Sequence, residues 1–195
     1  MDGASRYRLA CAGLVGPRTL PTRAVRLRLF RRFGLPARIR SDNGVPCAGP
    51  TALARLSVLA VWWIHLGMER IQLGCPGQNG RHERMHRTLK AETTRPRRPT
   101  APRNSGGLAR FSASTTSHVR MRRWGGLPPA MAYVPSDRPM PDHLPAVEYP
   151  AHFERRRVSS SGTIKWRNLR VTVSSVLARE DIGCEEIADG EWALY

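Results

Sequence analysis

Apolar and polar residues in the first part of the chain follow helical and extended spacings in turn. Within residues 24–33, three apolar side chains share one helical face and arginines occupy the rest of the surface. Gly34 and Pro36 end this predicted helix, because glycine suits the position after a helix and proline cannot continue one. The segment 37–40, Ala-Arg-Ile-Arg, then predicts a short strand.

Further segments continue the alternation between strand and helix. They are a strand at 6–12, a buried helix at 51–66, a strand at 68–73 and a helix at 79–92. The resulting order is strand, helix, strand, helix, strand, helix. This order predicts an α/β domain with parallel strand pairing.

The second half of the chain has a different texture. Residues 93–127 contain eight arginines, no acidic residue and many Pro, Ser, Thr and Gly, and a proline-rich stretch continues to residue 150. Short strands separated by Ser-Gly, Arg-Asn and Asp-Gly turns follow, at 153–158, 163–166, 169–173, 184–187 and 192–195. We therefore predict an α/β region at 1–92, an Arg/Pro-rich disrupted segment and linker at 93–150, and a small β-barrel-like module at 151–195.

The charge balance is strongly basic. The 195 residues include 32 Lys and Arg against 15 Asp and Glu, a formal net charge of +17. Such an excess predicts a polyanionic partner, nucleic acid before a membrane surface. The longest apolar run, 58–66, is too short to cross a bilayer, and no signal peptide follows Met1. The four cysteines form no Cys-x-x-Cys pair, which argues against a zinc site and favours a cytoplasmic location.

Two short motifs could carry chemistry. Ser41-Asp42-Asn43-Gly44 follows a predicted strand, where α/β folds place their sites, although Asp-Asn-Gly is also ordinary turn sequence. Farther on, Glu83, Arg87 and Lys90 share one helical face. They form either a solvated, ion-paired surface or a carboxylate that binds a divalent cation beside cations that hold phosphates.

Taken together, these motifs resemble a known catalytic core. Gly34-Leu-Pro36, Ile39-Arg-Ser-Asp-Asn-Gly44 and Asn79-Gly-Arg-His-Glu-Arg-Met-His-Arg-Thr-Leu-Lys90 resemble the integrase core of bacterial insertion-sequence transposases related to retroviral integrases. Ser5-Arg-Tyr7 and Pro129-Ala-Met-Ala-Tyr133, with Pro135-Ser136, are also similar to that family.

The resemblance implies a ribonuclease-H-like fold in which three acidic residues hold two Mg²⁺ ions for DNA strand cleavage and transfer. Asp42 matches the second acid and Glu83 the third, as catalytic residues and metal ligands. In the family the first acid lies on a strand upstream of the segment that Asp2-Gly-Ala-Ser-Arg-Tyr7 matches, and Asp2 matches a non-ligand position. We therefore expect a partial core without its first strands, inactive in strand transfer.

The resemblance also implies partners and a location. DNA, as transposon ends and target, is the expected partner, together with a homo-oligomer or a full-length transposase, in the nucleoid-associated cytoplasm of a bacterium. Candidate DNA contacts are His86, Arg87 and Lys90, and, in the C-terminal module, Arg156, Lys165 and Arg167, although a solvated sheet face is an equal alternative there. Two other classes stay open: a non-catalytic DNA-binding remnant, and a non-functional reading frame that does not fold stably.

Three smaller features have simpler explanations. Trp62 and Trp63 could stack on bases, but among Leu, Val and Ile at helical spacing they are predicted to be core. His82 and His86 are spaced like a metal pair, yet no third ligand with the right spacing follows. Residues 96–125 lack the family pattern, but DNA for 115–125 read one base earlier can encode it, so we predict a frame-shifted stretch that the nucleotide sequence would confirm or exclude.

Overall fold

The computed structural model describes residues 1–14, 16–41, 44–49, 53–71, 87–91 and 125–195. The chain divides into two compact units. The first unit combines Met1–Pro36 with Leu73–Met140, and the second combines Ala37–Gln72 with Pro141–Tyr195. The predicted ribonuclease-H-like fold and the predicted domain boundaries stay predictions.

Helix α1 (Thr19–Phe33) is the main element of the first unit, which also contains the short helix α3 (Pro129–Ala132) and the helical residues 87–91. Helix α1 ends at Gly34, whose amide donates to the Phe30 carbonyl at 2.9 Å. Gly34 has φ +77°, and a Cβ there would lie 2.3 Å from the Ser136 carbonyl oxygen. Glycine is therefore required at this helix end for both its backbone and its size.

Aromatic packing joins three segments of the first unit. The ring of Tyr7 stacks on Tyr133 with centroids 4.4 Å apart, and both rings meet Phe33 edge-on at 6.1 and 5.8 Å. The Ser136 hydroxyl donates to the Leu35 carbonyl at 2.6 Å, and the Ser136 amide donates to the Phe33 carbonyl. The segments around Tyr7, Gly34 and Tyr133, which carry part of the family resemblance, thus pack on one another.

The second unit begins with a β-α-β arrangement. Strands β1 (Arg38–Arg40) and β2 (Glu69–Ile71) pair in parallel, with helix α2 (Val58–His65) between them in the chain, so the predicted parallel pairing is confirmed for these two strands. Ser57 caps α2, because its hydroxyl oxygen accepts from the Ala60 amide at 3.2 Å. Helix α2 is almost wholly apolar, and most of its side chains are buried.

The C-terminal part of the second unit is antiparallel. Strands β3 (Glu154–Arg157), β6 (Asp181–Ala188) and β7 (Glu191–Leu194) form one sheet, and β4 (Thr163–Trp166) pairs with β5 (Leu169–Thr172) in a hairpin. The buried core contains Val158, Ile164, Ile182 and Cys184. All five predicted strands are confirmed, with shifted ends in four of them. The described strands form these two sheets and no closed barrel, and every residue of β5 is exposed.

Several predicted elements in the first part of the chain differ from the structure, and the helix predicted at 24–33 begins earlier, at Thr19. The predicted strand at 6–12 is wrong, because no residue of that range is in a strand or helix. The chain turns instead at its start: the Asp2 amide donates to the Tyr7 carbonyl at 2.8 Å, and Arg6 has φ +66°. The predicted helix at 51–66 is shorter than expected, since a 3₁₀ turn at Leu53–Arg55 precedes the Ser57 cap.

No helix within the described ranges is both long and apolar enough to cross a membrane.

Candidate nucleic-acid interface

The two acidic residues that match the family, Asp42 and Glu83, lie outside the described residues, as does His86. Strand β1 ends at Arg40 and Ser41 is the last described residue before Asp42, so Asp42 follows the carboxyl end of a parallel strand in the chain. This is the end of the strand at which α/β folds place their sites. The roles of Asp42 and Glu83 as catalytic residues and metal ligands stay predictions.

The carboxylate of Asp2, the acidic residue nearest the start of the chain, accepts hydrogen bonds within a local turn. This carboxylate accepts from the Ser5 amide at 2.7 Å and from the Ser5 hydroxyl at 2.6 Å. Partial burial acts to raise the pKa of Asp2, but hydrogen bonds from Ser5, Ala4 and Gly3 outweigh it, and the net pKa lies below the ordinary aspartate value. Within the described ranges, no group of three or more His, Cys, Asp or Glu side chains could hold a metal ion.

Replacing Asp2 by alanine is expected to destabilise the first unit by about 0.5–1 kcal/mol, since two hydrogen bonds are lost and solvent screens part of their strength. Because the folded pKa of Asp2 is depressed, its contribution is full above the unfolded pKa of about 4 and is lost as the pH falls through the folded pKa. Urea unfolding of wild type and Asp2→Ala at pH 7 and pH 3 measures this. A difference between the two proteins that is larger at pH 3 than at pH 7 would contradict the assignment.

Two of the predicted DNA contacts lie on the helical residues 87–91. Arg87 and Lys90 are both exposed there. Because they are three positions apart in a helix, they belong to one face.

Arg156, a third predicted contact, is already engaged within the module. On strand β3 it pairs in register with the buried Ile182, and its guanidinium forms an ion pair with Glu154 and lies 5.5 Å from the ring centroid of Trp166. The Trp166 ring in turn meets Trp192 at 4.6 Å. Arg156 therefore helps to cover the edge of the C-terminal core.

The remaining predicted contacts, Lys165 and Arg167, lie on the β4–β5 hairpin. Lys165 stands directly opposite Arg170 in the strand register, and Arg167 occupies the two-residue turn between them. All three side chains are exposed, and we call them the hairpin cations. The register places Arg170, another basic residue of this module, beside the two predicted contacts.

No ion pair found in the described part of the chain involves a hairpin cation. Three other exposed arginines of the second unit do have acidic partners. Arg38 contacts Glu69 at 2.7 Å, and Arg155 and Arg157 contact Asp181 at 3.5 and 3.1 Å. The hairpin cations thus differ from these three arginines in having no ion-pair partner among the described residues.

The placement of the hairpin cations costs folding free energy. Like charges directly opposite each other on paired strands repel, as Lys165 and Arg170 do. Arg167 has φ +51°, a left-handed conformation that glycine or asparagine adopts at lower cost. An anionic ligand such as a phosphate group would relieve the repulsion. This arrangement is suited to phosphate binding.

The tandem tryptophans do not form a base-stacking surface. Trp62 is 5% exposed and Trp63 is 0% exposed, so the prediction that both belong to the core is confirmed.

No protein-family model matches the chain.

Proposed function

We propose that this protein binds the phosphate backbone of DNA through the hairpin cations and does not catalyse strand transfer. The observation that carries the proposal is the pair Lys165 and Arg170, which face each other across the β4–β5 hairpin without an acidic partner among the described residues. Cations held at a fixed spacing neutralise phosphates and release the counterions condensed on DNA.

We further propose that the protein is related to insertion-sequence transposases, which act on DNA. This relationship is supported by the sequence motifs, by the packing of Tyr7, Phe33 and Tyr133 that joins three of them, and by the position of Asp42 after strand β1. On this proposal the partners are transposon ends and target DNA, with a second copy of the chain or a full-length transposase, and the protein is associated with the nucleoid.

Mg²⁺ is the cofactor that the relationship implies, and Asp42 and Glu83 are its proposed ligands. Asp2 matches a non-ligand position of the family, and its carboxylate accepts hydrogen bonds from Ser5. Lys and Arg side chains neutralise DNA phosphates without a metal ion. We therefore expect DNA binding that needs no Mg²⁺.

The test combines a binding assay with a reaction assay. Fluorescence anisotropy with a labelled DNA duplex of about 25 base pairs, from 50 to 300 mM NaCl, is expected to show affinity that falls linearly on a log-log plot, with a slope of about −0.9 per phosphate contacted. EDTA should leave the curve unchanged. The same duplex carrying a transposon end should give no joined product with Mg²⁺.

Two results would overturn the proposal. The absence of DNA binding at 50 mM NaCl, or binding that does not change with salt, would exclude the phosphate-binding function. Mg²⁺-dependent joining that Glu83→Gln abolishes would show instead that the chain is an active transposase.

A further inference from the structure

Helix α1, in the first unit, carries an unusual set of charges. Its fifteen residues include Arg23, Arg26, Arg28, Arg31 and Arg32, and none is acidic. Four of them are exposed, Arg26 being half-buried, and we call the three in the C-terminal half of the helix, Arg28, Arg31 and Arg32, the α1 cations. Sequence periodicity placed arginines off the apolar face of this helix but did not single them out as a binding surface.

The α1 cations lie together on one side of the helix. Arg31 and Arg32 are three and four positions after Arg28, which are the spacings of neighbours on a helix surface. Phe30, which is 4% exposed, points to the opposite side. Like charges at these spacings destabilise an isolated helix. The structure thus repeats here the feature of the hairpin cations, adjacent positive charges without an ion pair among the described residues.

Acidic side chains of the described residues do not neutralise the α1 cations. No ion pair among the described residues includes any of the three. An open groove of about 340 Å³ beside the end of the helix is lined by Arg31, Arg32 and Asp137, yet Asp137 forms no ion pair with them.

The helix dipole explains only part of the pattern. Cations in the last turn of a helix interact favourably with its C-terminal carbonyls, which applies to Arg31 and Arg32. Arg28 lies before the last turn, where this effect has faded. The guanidinium of Arg32 also lies 5.1 Å from the ring centroid of Phe33, which holds this side chain against the helix surface.

The spacing of these charges fits a DNA strand. Four residues of α-helix rise about 6 Å along the axis. Neighbouring phosphates of one DNA strand are separated by about 3.4 Å along the duplex axis and by the rotation around it, which places them about 7 Å apart in space. Arg28 and Arg32 can therefore reach two phosphates of one strand, and Arg31 can neutralise another nearby.

We propose that the α1 cations form a second DNA-phosphate-binding surface, so that each of the two compact units contacts DNA. The inference rests on the proposed function, because that function supplies DNA as the partner. The residues from which it is argued lie in the first unit, whereas the hairpin cations lie in the second. The salt dependence of binding should therefore exceed what the hairpin cations alone can produce.

The experiment compares three variants, each lacking three positive charges. The first replaces the α1 cations (Arg28→Gln, Arg31→Gln, Arg32→Gln), and the second replaces the hairpin cations (Lys165→Gln, Arg167→Gln, Arg170→Gln). The control replaces arginines that already have acidic partners (Arg38→Gln, Arg155→Gln, Arg157→Gln). All three change the net charge equally, so only the position of the lost charge differs.

The α1 variant is expected to bind duplex DNA at least tenfold more weakly at 100 mM NaCl, with a salt slope shallower by about 2 to 3, near 0.9 per cation. The control should lose no more than about threefold, because two carboxylates, Glu69 and Asp181, already offset most of this charge. A version with lysine at positions 28, 31 and 32 should restore the slope, since the charge returns. Circular dichroism and melting of each variant identify any loss of folding.

The outcomes separate this inference from the proposed function. If the hairpin variant loses affinity while the folded α1 variant binds like the control, the second surface does not exist and the proposed function stands. If the wild type binds no DNA at 50 mM NaCl, the proposed function fails and this inference with it. If the α1 cations contribute to binding phosphatidylserine vesicles but not DNA, the surface is a membrane contact and the inference is overturned.

Discussion

Replacing Trp63 by alanine is expected to lower the free energy of unfolding of the second unit by about 3–5 kcal/mol. The indole is 0% exposed and lies in helix α2, whose neighbouring side chains Leu59 and Leu66 are also buried. Removing the ring takes away its transfer free energy and leaves a cavity that the surrounding side chains fill only in part. Most single domains have about 5–15 kcal/mol of stability, so this loss is a large fraction of the total.

A matched control lies next to Trp63 in the same helix. Ile64 is 51% exposed, so Ile64→Ala changes helix composition without opening a cavity and should cost no more than about 1 kcal/mol. Urea unfolding followed by circular dichroism measures both variants. Equal losses for Trp63→Ala and Ile64→Ala would contradict the buried position of Trp63. Wild-type protein that melts without a cooperative transition would support a reading frame whose product does not fold stably.

Replacing the three hairpin cations by glutamine is expected to reduce DNA affinity by about 10- to 100-fold at 100 mM NaCl and to make the salt slope shallower by about 2.7. The free energy of unfolding should stay the same or increase, because the repulsion between Lys165 and Arg170 disappears. A loss of binding without a loss of stability distinguishes a binding surface from residues that maintain the fold.

Arg167 allows a sharper version of the same test. At φ +51° glycine is less strained than arginine, so Arg167→Gly should stabilise the hairpin by about 0.5–1 kcal/mol while it removes one phosphate contact. Thermal melting and salt-dependent anisotropy measure the two effects on one protein. An Arg167→Gly protein that is more stable and binds DNA as tightly as wild type would remove Arg167 from the interface.

Local sequence signals predicted the C-terminal strands well. Ser-Gly, Arg-Asn and Asp-Gly turns separate alternating segments, and strand β4 has the predicted bounds, 163–166. At the start of the chain the alternation was weak, and hydrogen bonds from Ser5 to the Asp2 carboxylate stabilise a turn there instead of a strand. Side-chain hydrogen bonds of Ser and Asp compete with regular structure in this way.

Long-range organisation could not be read from periodicity. His65, at the end of α2, contacts Glu180 at 3.0 Å, so the α2 segment and the C-terminal strands form one unit although a long stretch of chain separates them. Hydrophobic spacing predicts which face of an element is buried, but it does not identify what buries that face.

The candidate site could be predicted only in part, because periodicity does not identify the partners of a residue here either. The basic and aromatic composition of the module pointed to Lys165 and Arg167, and the strand register adds that Arg170 lies directly opposite Lys165. Arg156 looked equivalent in sequence, but it forms an ion pair with Glu154, two residues away. Whether a cation has an acidic partner is a property of the fold, and this property separates the hairpin cations from Arg38, Arg155, Arg156 and Arg157.

Because strand β5 is exposed, the hairpin cations also affect pairing between copies of the chain. Among the described strands β5 pairs only with β4, and its Leu169 and Val171 are 68% and 39% exposed. An open strand with exposed apolar side chains is a template for pairing with another copy, and charged residues discourage such pairing. We therefore expect Lys165 and Arg170 to disfavour such pairing between copies of the chain at low salt. Neutralising them, by bound DNA or by screening ions, would favour self-association along this edge.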